Sequence, residues 1–183
     1  RKFEEKNLYE QTFLQCMRLW EDHDTVRPFT FHPKLCAASP ALLQTDCVRI
    51  WHDQALYKAP GGRKTDAHCD YPFWPVDTSE QISVWIPFQD VEPGGGMMSY
   101  VQGSHLMGFT DFVDIGQLHG GEAYDLLQEP EVAARDLVSV VAKKGSAIFH
   151  HACTIHAADA NDTNDTRRVM TMAYMADGCR RSR

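Results

Sequence analysis

His68 and Asp70 are separated by one residue, and His156 lies far downstream. In an extended chain, residues i and i+2 point to the same side, so His68 and Asp70 can reach one ion if their stretch is strand-like. Two imidazoles and one carboxylate on one side of a cavity are the set with which a non-haem Fe(II) oxygenase holds its metal, the remaining positions staying open. Neutral imidazoles suit Fe(II), and a single carboxylate lowers the net charge of the site. With nine histidines in the chain, an H-x-D triplet arises easily. Its plain reading is a surface-loop histidine.

A second cluster changes that balance. His150, His151 and His156 fall in a segment that otherwise reads as buried strand, followed by Asn161 and the pair Arg167-Arg168. A third ligand has to come from a different strand, and His156 sits where such a strand would end and turn into the loop 159–166. His150 and His151 are rivals. As strand neighbours they face opposite sides, so at most one can point at the metal.

The elements that must position these groups are mostly β. Val48 to His52 alternates, and Gln81 to Phe88 alternates more cleanly, with Ile82, Val84, Ile86 and Phe88 on one face and Ser83 and Trp85 on the other. That asymmetry suits a sheet with helices outside and a pocket inside. Met97 to Val101, Leu137 to Ala142, Ser146 to Ile155 and Arg167 to Met175 supply further strands. Gly94 to Gly96 read as turn residues without a chemical part, and His105 in the following loop reads as structural.

Phe3, Leu8, Phe13, Leu14, Met17 and Trp20 recur at near-helical spacing, which predicts an amphipathic helix. A shorter helix is expected from Ser39-Pro40 through Leu43, with the proline in its first turn. The stretch from Leu106 to Glu131 has weak periodicity and reads as a lid or binding loop, with a short helix at Glu122 to Gln128. Many short strands with helices gathered at the start predict a mainly β fold with flanking helices. Its core is a double-stranded β-helix, the cupin-like jelly roll.

At 183 residues and 43% hydrophobic, the chain suits one domain, 1–183, with a core that needs no disulfides. The formal charge of −7 argues against a nucleic-acid surface, as does the absence of clustered Lys and Arg through most of the chain; apart from Lys143-Lys144, the one dense basic run, Arg180 to Arg183, reads as a tail. Six cysteines at irregular spacing, with no C-x-x-C, read as reduced thiols in a cytoplasmic protein. No signal peptide or membrane span is visible, so the N-x-T sequons at Asn161 and Asn164 read as coincidental. Both chain ends are expected to be incomplete.

The run Phe149-His150-His151 through His156, then Asn161 and Arg167, resembles the distal motif of the phytanoyl-CoA dioxygenase family. In that family asparagine follows the distal histidine by five positions and a cofactor-binding arginine follows it by eleven; both offsets match here. The resemblance extends through His32-Pro33-Lys34-Leu35, Lys58-Ala59-Pro60-Gly61-Gly62, His68-Cys69-Asp70, Ser83-Val84-Trp85-Ile86 and Gly94 to Gly96 leading into Gly103-Ser104-His105, from about Phe13 to Tyr174. It departs at Ala158, often a serine that bonds the cofactor.

The resemblance implies Fe(II), 2-oxoglutarate as cosubstrate and O2, with His68, Asp70 and His156 as metal ligands. It implies oxidative decarboxylation to succinate and CO2 coupled to hydroxylation of a small molecule or acyl thioester. The distal carboxylate of 2-oxoglutarate calls for a buried guanidinium, and Arg167 is the candidate. Hydrophobicity alone would instead turn inward the face of Arg168, shared with Met170, Met172 and Tyr174. Trp85 and Gln54 match family positions on the cofactor wall, and either could be a packed core residue. Tyr71, Phe73 and Trp74 would rim the substrate side, or plug it. Related halogenases have a small residue where Asp70 stands and bind chloride in the space, so the carboxylate implies oxygenation.

Two other classes fit parts of the pattern. A non-catalytic jelly-roll metal- or ligand-binding protein would keep the cage without needing Arg167. A cupin-type isomerase or hydrolase would add a further histidine or glutamate ligand. Basic residues for a CoA phosphate are sparse near the H-x-D motif, only Arg63 and Lys64, and oligomeric state leaves no trace in the sequence.

Overall fold

The computed structural model describes residues 5, 8–109, 113, 118–119, 122–123 and 126–182. In chain order the elements are α1 (Leu8–Thr12), β1 (Leu14–Met17), α2 (Leu19–Asp22), α3 (Arg27–Thr30), α4 (Pro33–Leu43), β2 (Val48–Lys58), β3 (Thr65–His68) and β4 (Gln81–Pro87). Then come β5 (Met98–Val101), β6 (Leu118–His119), β7 (Glu122–Ala123), α5 (Pro130–Ala133), β8 (Leu137–Val140), β9 (Ile148–His151), β10 (His156–Ala158) and β11 (Arg167–Ala176). A five-stranded sheet runs β1-β2-β11-β4-β9 and a four-stranded sheet runs β3-β10-β5-β8. All pairings are antiparallel, and the two sheets form the expected jelly roll.

Both faces of the five-stranded sheet are covered. On the outer face Leu35 of α4 packs with Ile82, Val84, Met170, Met172 and Tyr174. On the inner face Trp85 and Val169 meet Met98 and Ala158 of the other sheet. Arg167 is therefore buried and Arg168 exposed while Met170, Met172 and Tyr174 are also buried, because helices cover the face that hydrophobicity alone would have turned inward.

A β-bulge makes the inner face polar. Opposite β11, Ala173 pairs with His52 and Tyr174 with Ile50, so Trp51 is the extra residue. One inserted residue flips the alternation. Val48 and Ile50 before it pack on the outer core, whereas His52, Gln54 and Leu56 after it line the interior. Asp53, turned the other way and fully buried, accepts from Thr30 Oγ1 at 2.7 Å and from the Trp20 amide at 3.1 Å, pinning α2 and α3 to the sheet.

Several expected elements differ. The N-terminal helical stripe is broken into α1, β1 and α2; Leu14 and Met17 are exposed on an edge strand, and Phe3 lies outside the described residues. The helix near Ser39 starts earlier, with His32 as cap and Pro33 in the first turn, so Pro40 is interior; buried Ser39 donates back to the Leu35 carbonyl at 2.9 Å. In place of the helix expected at Glu122 to Gln128, Glu122–Ala123 pairs antiparallel with Leu118–His119 and a 3-10 turn occupies Leu126–Gln128, residues 124–125 lying outside the described residues. The strand expected over 146–155 is β9, which stops at His151 before a turn leads into β10. No helix among the described residues is long and apolar enough to cross a membrane.

Candidate active site

Strand register closes the sequence gap between the two histidine motifs. In the four-stranded sheet His68 on β3 stands directly opposite His156 on β10, with ring centroids 4.4 Å apart. Asp70 follows β3 in a turn fixed by the Ala152 carbonyl, which accepts from the Asp70 and Tyr71 amides at 2.8 and 3.0 Å. One ligand atom from each of His68, Asp70 and His156 falls within 4.8 Å of the other two. Asp70 Oδ1 lies 3.9 Å from His68 Nε2 and 3.7 Å from His156 Nε2.

Backbone carbonyls set the tautomers. His68 Nδ1 is 2.7 Å from the Asp66 carbonyl and His156 Nδ1 is 2.8 Å from the Thr154 carbonyl. A carbonyl only accepts, so both Nδ1 atoms carry the proton and both Nε2 lone pairs are bare toward Asp70. Burial pushes the His156 pKa down to about 3, with His68 and His150 adding to the effect, and burial lowers that of His68 against the pull of Asp70. Burial alone would raise the Asp70 carboxyl; the hydrogen bond from His150 at Oδ2 works against it, and the group is held below the usual carboxylate range. Two neutral imidazoles and a carboxylate are what a divalent metal needs.

The opposite oxygen of Asp70 meets the other sheet. Ser83 on β4 and His150 on β9 are a cross-strand pair, and they approach Asp70 Oδ2 at 2.6 and 3.2 Å. His151, the other rival, points away toward His105 at 5.8 Å between ring centroids, and its Nδ1 accepts from the Cys153 amide.

These groups form one wall of a cavity of about 440 Å³ between the sheets. Arg167 lines it too, from the first position of β11. Its guanidinium is 5.6 Å from the Trp85 ring centroid, and NH1 donates to the Gly96 carbonyl at 2.7 Å. Its Nε is buried without a hydrogen-bond partner, and no carboxylate pairs with it among the described residues. Burial pushes its pKa down to about 10, so it stays charged. A buried cation with unused donors fits a carboxylate supplied from outside.

Of the other sequence candidates, Gln54, Trp85, Phe73 and Trp74 line this cavity, and Tyr71 does not. Gln54 is bonded by Gln15 of β1. Gly96 has more than a turn role: it holds Arg167 through its carbonyl at a φ of +74°, and a Cβ there would sit 3.1 Å from Lys58 Cδ. Asn161, fully buried, donates to the Lys58 and Asp165 carbonyls, a structural role that leaves its own sequon inaccessible, whereas Asn164 is exposed.

Sequence reasoning left out Ser83, His52, Thr65 and Lys58. Ser83 was visible as the small polar residue on the inward face of β4. Lys58 is fully buried opposite Arg167, its Nζ donating to the Arg63 and Asp159 carbonyls at 2.8 Å and to Thr65 Oγ1 at 3.3 Å. Burial and the Arg167 charge push its pKa down to about 7.

Residues 6–169 match the family model described as Phytanoyl-CoA dioxygenase (PhyH). The chain is 28% identical over 127 residues to a Caenorhabditis briggsae "Phytanoyl-CoA dioxygenase domain-containing protein 1 homolog", covering 66% of this chain and 44% of the relative. It is 24% identical over 159 residues to the peroxisomal phytanoyl-CoA dioxygenase of Rattus norvegicus, covering 80% of this chain and 46% of that protein. It thus spans somewhat under half the length of these relatives.

Among solved structures, the non-heme α-ketoglutarate-dependent carbocyclase SnoK from nogalamycin biosynthesis is similar at a TM-score of 0.79 and 28% identity, over 93% of this chain and 67% of SnoK. The epimerase SnoN in complex with Fe3+, α-ketoglutarate and nogalamycin RO is similar at a TM-score of 0.82 and 24% identity, over 94% of this chain and 66% of SnoN. By the family match over most of its length, the chain belongs to the phytanoyl-CoA dioxygenase (PhyH) family.

Proposed function

We propose that this chain is the catalytic domain of an Fe(II)- and 2-oxoglutarate-dependent dioxygenase that hydroxylates a small molecule or acyl thioester, releasing succinate and CO2. One observation carries the reading: three converging ligand atoms share a cavity with a buried guanidinium that has an unused donor. His68 and His156 offer Nε2 and Asp70 offers Oδ1 to the metal. Arg167 binds the distal carboxylate of 2-oxoglutarate, with Trp85 and Gln54 flanking it. Iron, cosubstrate and O2 together supply the oxidising power for C–H chemistry. Phe73 and Trp74 wall the same cavity and exclude water from the reacting atoms.

The guanidinium argues against a non-catalytic metal cage, which has no use for a buried cation short of acceptors. A second outcome of the same chemistry has a specific observation behind it, the 28% identity to a carbocyclase. Ring closure or epimerisation is distinguished from hydroxylation by the mass of the product. Location in the cytoplasm is part of the proposal, supported by six cysteines that are all free thiols.

The test is succinate formation from 2-oxoglutarate by the purified chain with and without Fe(II). Iron-dependent succinate that disappears in Asp70→Ala is the expected result. Succinate at the same rate without added metal, or with Asp70→Ala, would sink the proposal.

A further inference from the structure

Three histidines crowd Asp70, and their hydrogen bonds divide them into two kinds. His68 and His156 spend their Nδ1 protons on backbone carbonyls and present bare Nε2 atoms. His150 is the reverse. Its Nε2 lies 3.2 Å from a carboxylate oxygen, which only accepts, so the proton is on Nε2; its Nδ1 is buried with no partner. An imidazole whose proton points at Asp70 has no lone pair there to give a metal. His150 is also absent from the set whose ligand atoms mutually converge among the described residues.

We propose that His150 and Ser83 act as positioning residues that occupy Asp70 Oδ2 and so restrict Asp70 to binding the metal through Oδ1 alone. Both are buried, both sit on the five-stranded sheet as a directly opposed pair, and both aim at the same oxygen. Asp70 itself comes from the end of the four-stranded sheet. The clamp therefore ties the two sheets together at the carboxylate. A carboxylate free to turn can bind through both oxygens and take up a coordination position that reactants need. With two donors on Oδ2 that rotation breaks two hydrogen bonds, one of them 2.6 Å long. The inference rests on Asp70 as a ligand and goes beyond it by naming what fixes its binding mode.

The test uses Co(II) binding and the visible d–d spectrum of the Co(II)-loaded protein, read without turnover. His150→Phe keeps a ring and loses the donor; His150→Gln keeps an N–H donor. His150→Phe is expected to weaken Co(II) binding about 10- to 100-fold, the usual effect of losing a ligand's hydrogen-bond partner, and to alter the bands, while His150→Gln regains most of the affinity. Ser83→Ala, the gentler change, should move both readouts the same way, with Ser83→Thr restoring them; it carries the test if His150→Phe does not fold. Wild-type affinity and bands in His150→Phe or Ser83→Ala would overturn the clamp. So would a folded His150→Gln as weak as His150→Phe, since ring packing would then be what matters. Asp70→Ala separates the levels: if it binds Co(II) normally the ligand assignment fails too, and if it loses binding while the clamp variants do not, only the clamp fails.

Discussion

The two ends of the cavity treat their polar atoms in opposite ways. At the His68–Asp70–His156 end each proposed ligand has its other polar atom tied down: both Nδ1 atoms to carbonyls, Asp70 Oδ2 to Ser83 and His150. At the Arg167 end a fully charged group is buried with Nε unpartnered and one carbonyl as acceptor. The difference separates two tasks. Coordination needs fixed directions, so the protein satisfies everything except the atoms meant for the metal. Anchoring a dianion needs spare donors, because an unmet charge-assisted hydrogen bond is worth more to an incoming carboxylate than one already shared.

The largest effects should fall at the tied end. Asp70→Ala is expected to lower Co(II) or Fe(II) affinity by more than ~100-fold, beyond the loss caused by removing a partner behind a ligand, as read by calorimetric titration. Arg167→Met should leave that titration unchanged and weaken 2-oxoglutarate binding about 10- to 100-fold, since each hydrogen bond to a charged group contributes roughly 1.5–3 kcal/mol. If the two variants lose both ligands alike, the ends are not separate.

Gly96→Ala tests what holds the anchor. A φ of +74° and a Cβ 3.1 Å from Lys58 Cδ should cost about 1–2 kcal/mol of stability, read as a lower unfolding midpoint. Cosubstrate binding should weaken with it and metal binding should not.

A last effect is electrostatic and shows only as a dependence of stability on pH. Lys58, with its pKa pushed down to about 7, and the unfolded lysine near its ordinary 10.5, are both charged below pH 7. Between these values the unfolded chain holds the extra proton, so the stability contributed by Lys58 rises with pH across that window and is level beyond it. Urea unfolding at a series of pH values should show this slope in the wild type and lose it in Lys58→Met.

Much of the tied end was legible because its information is local. The alternation of Ser83 and Trp85 against Ile82 and Val84 predicts the inward face, and the H-x-D motif points to His68 and Asp70, although β3 ends at His68 and Asp70 sits in the turn after it rather than on a shared strand face. What pairs His68 with His156 is cross-strand register, which no spacing encodes. The bulge at Trp51 was hidden for the same reason, since an inserted residue shows only against a partner strand. Leu14 to Met17 was misread because apolar residues three and four apart also fit an edge strand leading into a short helix. The sequence leaves His150 and His151 as rivals, and what separates them, the approach of His150 to Asp70, exists only in the fold.

The account is tested most directly by a crystal structure grown anaerobically with Mn(II) and 2-oxoglutarate. It should show the metal bonded to His68 Nε2, His156 Nε2 and Asp70 Oδ1, with the far carboxylate of the cosubstrate on the Arg167 guanidinium. A metal held elsewhere, or a cosubstrate whose distal carboxylate leaves Arg167 untouched, would contradict it.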